Sequence, residues 1–438
     1  MQVFKFGGTS VGSPDRMKQV ASIITSTDDA KVVVLSAVSG TTNELVALCQ
    51  EVDTGDPGAE DRLDALHEHY RTFVNKLYQS AKLLNKAHEF VNNKFDYLRT
   101  LGQKQFTIQD EKEVLAQGEL ISTQLFTWML EDQKIEAVLL PALEFMRIDK
   151  SNEPDEYYIK SMLEKIFEDF PGQSLFITQG YICRNAFGEI DNLKRGGSDY
   201  TATLVGQAVG ASEIQIWTDI TGMHNNDPRI VDKTYPVEAL SYEEAAELAY
   251  FGAKILHPSC VLPALKAHIP IRLKNTMEPE AAGTLISHQE SKSKITAVAA
   301  KDGITAIKIR SGRMLNAYGF LKKIFEIFER YETPIDMITT SEVAVSLTID
   351  DNTNLSRILS ELRHYGQVDV DQNQTIICIV GDFGGSKAGT AIQIFNALQH
   401  IPIRMISYGG SDYNVSILIQ AEHKARALRD LNRVLFHL

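Results

Sequence analysis

At 438 residues the chain is too long for one ordinary domain, and two or three are expected. Hydrophobic residues make up 44% and charged residues 23%, a globular balance, and no apolar run reaches the roughly 18 residues of a bilayer span. A formal net charge of −13 argues against a general nucleic-acid binder and makes any anion site a local exception.

The first strand is expected over Val3–Phe6, within a few residues of the start and with no charged-then-apolar leader, so the cytoplasm is the expected compartment. A helix follows, with Ser13 as N-cap, Pro14 at its first position and Met17, Val20, Ile23 and Ile24 on one apolar face. Further strands are read at Val32–Leu35, Ala137–Leu140, Leu175–Ile177, Glu213–Trp217 and Ile269–Leu273. Several are continuously apolar, as strands covered on both faces should be. Residues 61–128 read as a helical insertion with polar faces. Strand–helix alternation implies an α/β fold, a mainly parallel sheet flanked by helices. A boundary is placed near Gln289–Lys294, in a polar run. The four cysteines (Cys49, Cys183, Cys260, Cys378) are far apart without a CxxC pair, so buried free thiols are expected rather than disulfides or zinc.

Beyond that boundary lies an internal repeat. Pro334-Ile335-Asp336-Met337-Ile338 recurs as Pro402-Ile403-Arg404-Met405-Ile406, and Ser341-Glu342-Val343 is answered by Ser411-Asp412-Tyr413. Each copy follows an amphipathic helix, and the unit reads βαββαβ, the ferredoxin-like pattern.

Three motifs carry chemistry. Lys5 is followed by Phe6-Gly7-Gly8-Thr9-Ser10, so its ammonium can reach oxygens over a glycine-lined turn; an edge-strand lysine beside a turn is the plainer alternative. Lys194-Arg195-Gly196-Gly197-Ser198-Asp199 puts cations, glycines and hydroxyl at the mouth of a helix, where free N–H groups and a positive dipole end favour an anion. Thr218-Asp219 ends a strand, where ligands gather in open α/β sheets. No G-x-G-x-x-G follows the first strand, which leaves a nicotinamide dehydrogenase a distant reading.

Together with the tandem repeat, these motifs resemble those of the aspartate kinases: an amino-acid-kinase catalytic domain (1–290) followed by two ACT regulatory modules (300–370 and 371–438). The resemblance implies a monofunctional, ATP- and Mg²⁺-dependent phosphorylation of the L-aspartate β-carboxylate, opening lysine, threonine and methionine synthesis. It assigns Lys5 to the transferring phosphate, with Asp199 as its organiser or simply a helix-start carboxylate. Ser36, Thr42, Glu119, Arg195 and Ser198 fall to aspartate, Glu119 meeting its ammonium and Arg195 its α-carboxylate. Ser36 and Thr42 also suit plain turn and capping roles, and a lone helical Glu is usually solvated. Gly7, Gly8, Thr9, Thr218, Asp219, His224, Arg229, Lys254 and Ile255 fall to ATP. His224 stands where many relatives carry Tyr, and Lys194 where Gly is commoner. No metal-ligand cage is read.

By the same resemblance, Met314, Gly319, Phe320, Leu321, Asp336, Thr340 and Ser341 form a pocket for lysine as allosteric inhibitor, with Ala317 replacing a hydroxyl of some relatives. Inert pairing modules are the alternative. A homodimer through the ACT modules is expected. Other amino-acid kinases, acting on glutamate or acetylglutamate, and a catalytically silent amino-acid sensor are the competing functions; retention of Lys5, Arg195, Arg229 and Lys254 together speaks against the sensor.

Overall fold

The computed structural model describes residues 1–102, 105–193, 196–252, 256–288, 294–314, 318–384 and 389–438. It divides into two compact units, Met1–Met223 with Ile255–Gln289, and His224–Lys254 with Glu290–Leu438. The division drawn at 290 from sequence therefore does not follow compactness: the segment from His224 packs with the second unit.

In the first unit, strands lie in the order Val138–Leu140, Leu175–Gln179, Lys31–Leu35, Gln2–Phe6, Ile214–Thr218, Ile271–Asn275 and Thr284–Ser287. All neighbours are parallel except the last pair. Lys31–Leu35 is buried throughout, as helices on both faces require. The expected first helix runs Pro14–Ile24; Ser13 Oγ accepts from the Arg16 N–H at 3.3 Å, and Met17, Val20, Ile23 and Ile24 are buried against the sheet.

The helical insertion consists of Gly58–Leu77, Ala81–Leu101 and Ile108–Asp132. The first two helices carry the expected polar outer faces, but the third is largely enclosed. Leu63, Tyr70, Phe73, Val91, Phe95 and Leu98 join the main core, and the third helix is buried along much of its length. The polar residues that disguised it are satisfied inside: Thr123 Oγ1 accepts from Gln179 Nε2 at 2.7 Å, and Ser122 Oγ donates to Ser36 O at 2.8 Å.

The second unit holds an antiparallel sheet in the order Ile338–Thr340, Ala344–Ile349, Ile295–Arg310, Gln367–Gly381, Asn414–Gln420, Met405–Tyr408. Helices Phe320–Arg330, Leu355–Leu362, Thr390–Ala397 and Lys424–Leu435 cover it. The two central strands are long and pair with each other over most of their length. Both break midway, where Gly303 and Asn373 adopt positive φ (78° and 57°) and the register shifts. Beyond the break each strand serves the other copy of the repeat. Ile304–Arg310 belongs with the first βαββαβ unit, while Ile295–Lys301 supplies the fourth strand of the second. Boundaries at 300 and 370–371 thus cut through continuous strands.

Candidate active site

Four parallel strands of the first unit end at one edge, and the residues just beyond them build a cleft. After Gln2–Phe6 come Gly7 and Gly8; after Lys31–Leu35 comes Ser36; after Leu175–Gln179 come Gly180 and Tyr181; and Ile214–Thr218 ends on Thr218 itself. Lys5 Nζ lies 2.7 Å from Asp199 Oδ1, with 12% and 16% of the two side chains exposed. A Cβ on Gly7 would stand 3.3 Å from that ammonium, so the glycine leaves the cation room over the turn.

Asp199 occupies the first turn of the helix Gly197–Val209, where a carboxylate favours the dipole. Gly196 is its N-cap at φ 80°, and a Cβ there would meet Cys260 Sγ at 2.4 Å. Conformation and space both demand glycine. The neighbouring Ser198 Oγ shares a 2.6 Å hydrogen bond with Ser36 Oγ, tying this helix to the second strand end. A second helix, Thr41–Thr54, opens on the same cleft after Gly40 at φ 85°, with Thr42 half-buried in its first turn. Thr41 Oγ1 and Tyr70 OH, 2.8 Å apart, anchor that turn in the core.

Glu119 lies on the buried helix Ile108–Asp132 and is 3% exposed. Its Oε1 accepts from the Ala37 N–H at 3.2 Å, and its Oε2 has no hydrogen-bond partner among the described residues. Burial pushes its pKa up to about 8, countered in part by the Ala37 N–H. Gly118 makes this placement possible, since a Cβ there would stand 2.9 Å from Ala37 Cβ. The cleft that Glu119 faces has a volume of about 410 Å³ and is lined by Gly8, Thr9, Ser36, Thr42, Glu119 and Ser198 among others. Thr9 is exposed at its rim, its carbonyl accepting from Arg16 at 2.6 Å.

The structure thus brings Lys5, Gly7, Gly8, Asp199, Ser36, Ser198, Thr42 and Glu119 together. Arg195, Lys254 and Ile255 lie outside the described residues. Thr218 closes its strand with its hydroxyl accepting from the Ile220 N–H at 3.1 Å, and Asp219 is exposed beside it.

One cleft residue was missed from sequence. Tyr181 lines the cleft at φ 67°, its N–H donating to Thr201 Oγ1 at 3.0 Å. The adjoining Gly180 is packed so closely that a Cβ would meet Ser198 Cβ at 2.3 Å. A Gly-Tyr pair directly after a strand was the available signal.

His224 and Arg229 belong to the second unit. His224 Nδ1 is 2.9 Å from Thr234 Oγ1, and burial lowers its pKa, so its ring is neutral at pH 7. Arg229 is 82% exposed at its side chain and held by Asp227 through contacts of 2.9 and 2.8 Å, which lower the Asp227 pKa.

The residues expected to form an effector pocket separate within the chain. Gly319, at φ 77°, caps the helix that begins with buried Phe320, and Leu321 is partly exposed. The Ser311 N–H donates to Val343 O and the Ser341 N–H to Ala344 O, which puts Met314, Thr340 and Ser341 at one end of a strand ladder. Asp336 lies at the other end, its N–H donating to Thr348 O. Its side chain is 1% exposed, and Oδ1 is met by Lys301 Nζ at 2.7 Å and Tyr250 OH at 2.9 Å. Lys301 also pairs with Asp350 at 2.8 Å and sits 4.3 Å from the centre of the Tyr250 ring. Burial raises the Asp336 pKa despite the lysine.

Among known families, the amino acid kinase family matches residues 1–275, and an ACT domain matches residues 377–435. Lysine-sensitive aspartokinase 3 of Escherichia coli is 32% identical, with 99% of each chain covered, and chloroplastic aspartokinase 1 of Arabidopsis thaliana is 33% identical over 99% of this chain and 80% of that one. The E. coli aspartokinase III structure with aspartate and ADP superposes at a TM-score of 0.89, covering all of both chains at 32% identity. A parallel sheet with a cation and two helix mouths at one edge, a ferredoxin-like pair in the second unit and whole-length identity above 30% agree on one assignment. The chain belongs to the aspartokinases, enzymes that phosphorylate a carboxyl group.

Proposed function

We propose that this chain transfers the γ-phosphoryl group of MgATP to the β-carboxylate of L-aspartate, under feedback inhibition by lysine, as a first step toward lysine, threonine and methionine. The relative solved with aspartate and ADP, and a second structure of that relative with lysine and aspartate, support the ligand set. The observation that carries the reading is the cleft itself. Two helix mouths and a buried carboxylate with one oxygen unpartnered among the described residues face the same space, and a cation paired with Asp199 stands on the neighbouring strand end.

The chemistry needs no general base. An aspartate side chain has an ordinary pKa of about 3.9 and attacks as the carboxylate already present at neutral pH. The protein has to hold acceptor and phosphate in line and neutralise the oxygens between them. Lys5, kept in place by Asp199, is suited to the transferring phosphate, and the Gly7–Gly8 turn leaves backbone room for it. Glu119 offers its free oxygen to the α-ammonium, and Arg195 is assigned the α-carboxylate, for which a planar guanidinium gives two hydrogen bonds. Mg²⁺ enters as part of the nucleotide substrate, held by phosphates and water. The nucleotide itself is assigned Thr218, Asp219, His224, Arg229, Lys254 and Ile255.

ATP- and Mg²⁺-dependent formation of aspartyl hydroxamate from L-aspartate and hydroxylamine tests the reaction, and the same assay with lysine tests the regulation. Turnover suppressed by lysine is expected. Turnover indifferent to lysine removes the effector, and turnover on glutamate or acetylglutamate instead of aspartate removes the acceptor.

A further inference from the structure

The segment that carries Arg229 is fastened to the C-terminal helix by three buried asparagines. Asn225, Asn226 and Asn432 are 0%, 3% and 2% exposed. Asn432, on the helix Lys424–Leu435, accepts at Oδ1 from Asn226 Nδ2 at 3.2 Å and from Asn225 Nδ2 at 3.4 Å. It donates from Nδ2 to Lys233 O at 3.0 Å. Asn226 Nδ2 also reaches Leu428 O at 3.0 Å, one turn earlier on the same helix. Asn225 Oδ1 accepts from the Tyr235 N–H at 2.8 Å, and Asn225 O accepts from the Val298 N–H at 2.8 Å.

The connection runs on to the guanidinium without a gap. Asn226 Oδ1 accepts from the Asp227 N–H at 2.9 Å, and the Asp227 carboxylate accepts from Arg229 at its backbone N–H, Nε and Nη2. Apolar packing accompanies it. Val231 is buried in the core of the second βαββαβ unit with Ile377, Val415 and Leu431, and Tyr235 meets Phe436 edge to face at 6.0 Å between ring centres.

Burying three amides is costly unless all their polar atoms are paired. An apolar contact of the same size would hold helix and segment together with less directional demand. A fully paired polar network instead fixes one arrangement of the two. We propose that Asn432 is a positioning residue for the kinase reaction: through Asn226 and Asp227 it sets the orientation of Arg229 toward the anionic phosphates of the nucleotide. This rests on the reading of Arg229 as a nucleotide residue.

The test is steady-state kinetics on the full-length enzyme, varying ATP and aspartate separately. Asn432→Leu should raise the KM for ATP about tenfold while kcat and the KM for aspartate stay within about twofold. A merely structural loss lowers the amount of folded enzyme, hence kcat, and leaves both KM values alone. Asn226→Ala breaks the same relay at its centre and carries the same expectation should Asn432→Leu fail to fold. Arg229→Ala is the reference. When it raises the KM for ATP and the asparagine variants do not, the positioning role is overturned and the nucleotide reading stands. When Arg229→Ala itself leaves the KM for ATP unchanged, the nucleotide reading fails and the inference with it. The double variant Arg229→Ala/Asn432→Leu should be no worse than Arg229→Ala alone; full additivity would show that Asn432 acts by another route and would overturn the proposal.

Discussion

Glu119 offers the sharpest quantitative check on the aspartate side of the cleft. Burial raises its pKa from 4.5 to about 8, a displacement worth about 5 kcal/mol between its two protonation states. In the free enzyme at pH 7 only about a tenth of the molecules then carry the anion that an ammonium needs. Aspartate keeps its own ammonium proton between pH 7 and 8.5, so the KM for aspartate should fall about eightfold across that interval as Glu119 ionises. In the ternary complex the ion pair already holds the anionic form, so kcat should change little. Glu119→Gln removes the charge and leaves an ammonium without its partner. It should cost about 10²-fold in kcat/KM for aspartate, close to 3 kcal/mol, and flatten the pH dependence. Folding carries the same signature with a definite sign. A carboxyl whose pKa rises on folding adds its full stability below about 4.5 and loses it as pH climbs through about 8. Between those values the Tm of wild type should decline more steeply with pH than that of Glu119→Gln. The assay is the hydroxamate reaction at saturating MgATP, with aspartate varied at four or five pH values. A wild-type KM for aspartate that stays level from pH 7 to 8.5, or one that moves identically in Glu119→Gln, would refute the reasoning.

Lys5→Ala should reduce kcat by at least about 10³-fold with little change in the KM for aspartate if, as proposed, the ammonium serves the phosphate in flight; equal losses in both would reassign it to ground-state binding. Gly180→Ala drives a methyl to within 2.3 Å of Ser198 Cβ, so it should lower stability by about 1–3 kcal/mol and weaken aspartate use together, read by thermal unfolding and kinetics. Lys301→Met strips Asp336 of its internal cation; it should lower Tm and let lysine both restore Tm and inhibit at about tenfold lower concentration. Inhibition by lysine at unchanged concentration in Lys301→Met would place the effector's ammonium elsewhere.

Much of this arrangement is legible before any coordinates, because it depends on local rules. Ser13-Pro14 announces a helix start, and the Ser13 cap is there. Continuous apolar runs announce covered strands, and all six expected strands occur within two residues of their expected ends. Lys5-Phe6-Gly7-Gly8 and Gly196-Gly197-Ser198-Asp199 stand out as glycine-rich turns beside charges, and the structure joins the two in the Lys5–Asp199 ion pair. What escaped depends on distant packing. Glu119 is singled out only through the family resemblance; by local rules it reads as an ordinary helical acid until Gly118 is seen to bring its helix against Ala37. Tyr181 carries no sign in its own identity that it will be held at positive φ. Residues 224–236 look like a continuation of the catalytic domain because they follow it in sequence; their partners, Asn432 and Phe436 among them, come some two hundred residues later. Likewise Ile295–Lys301 sits in the chain like a linker, yet it pairs with Ile376–Gly381 as a full strand of the second repeat.

The repeat also explains why its two copies are not interchangeable. Asp336 and Arg404 hold the same place in the repeated Pro-Ile-x-Met-Ile, and the structure gives each the same backbone bond to the neighbouring strand, to Thr348 O and Leu418 O. Each also pairs with a long central strand, but the charges are reversed. Asp336 meets Lys301 of one long strand, and Arg404 meets Asp371 of the other at 2.7–2.8 Å. The first place is an acceptor for a cation, with Oδ2 of Asp336 buried and without a hydrogen-bond partner among the described residues. The second presents a cation and would repel an ammonium. Glu119 shares the character of Asp336, a buried carboxylate with a raised pKa and, among the described residues, one unpartnered oxygen, yet no described lysine forms an ion pair with it. An ammonium arriving at Glu119 would gain a partner and displace no described cation. One arriving at Asp336 must compete with an ammonium tethered to the same chain. On the proposed assignment, substrate affinity at the first carboxylate would be limited by proton release, and effector affinity at the second by the departure of Lys301.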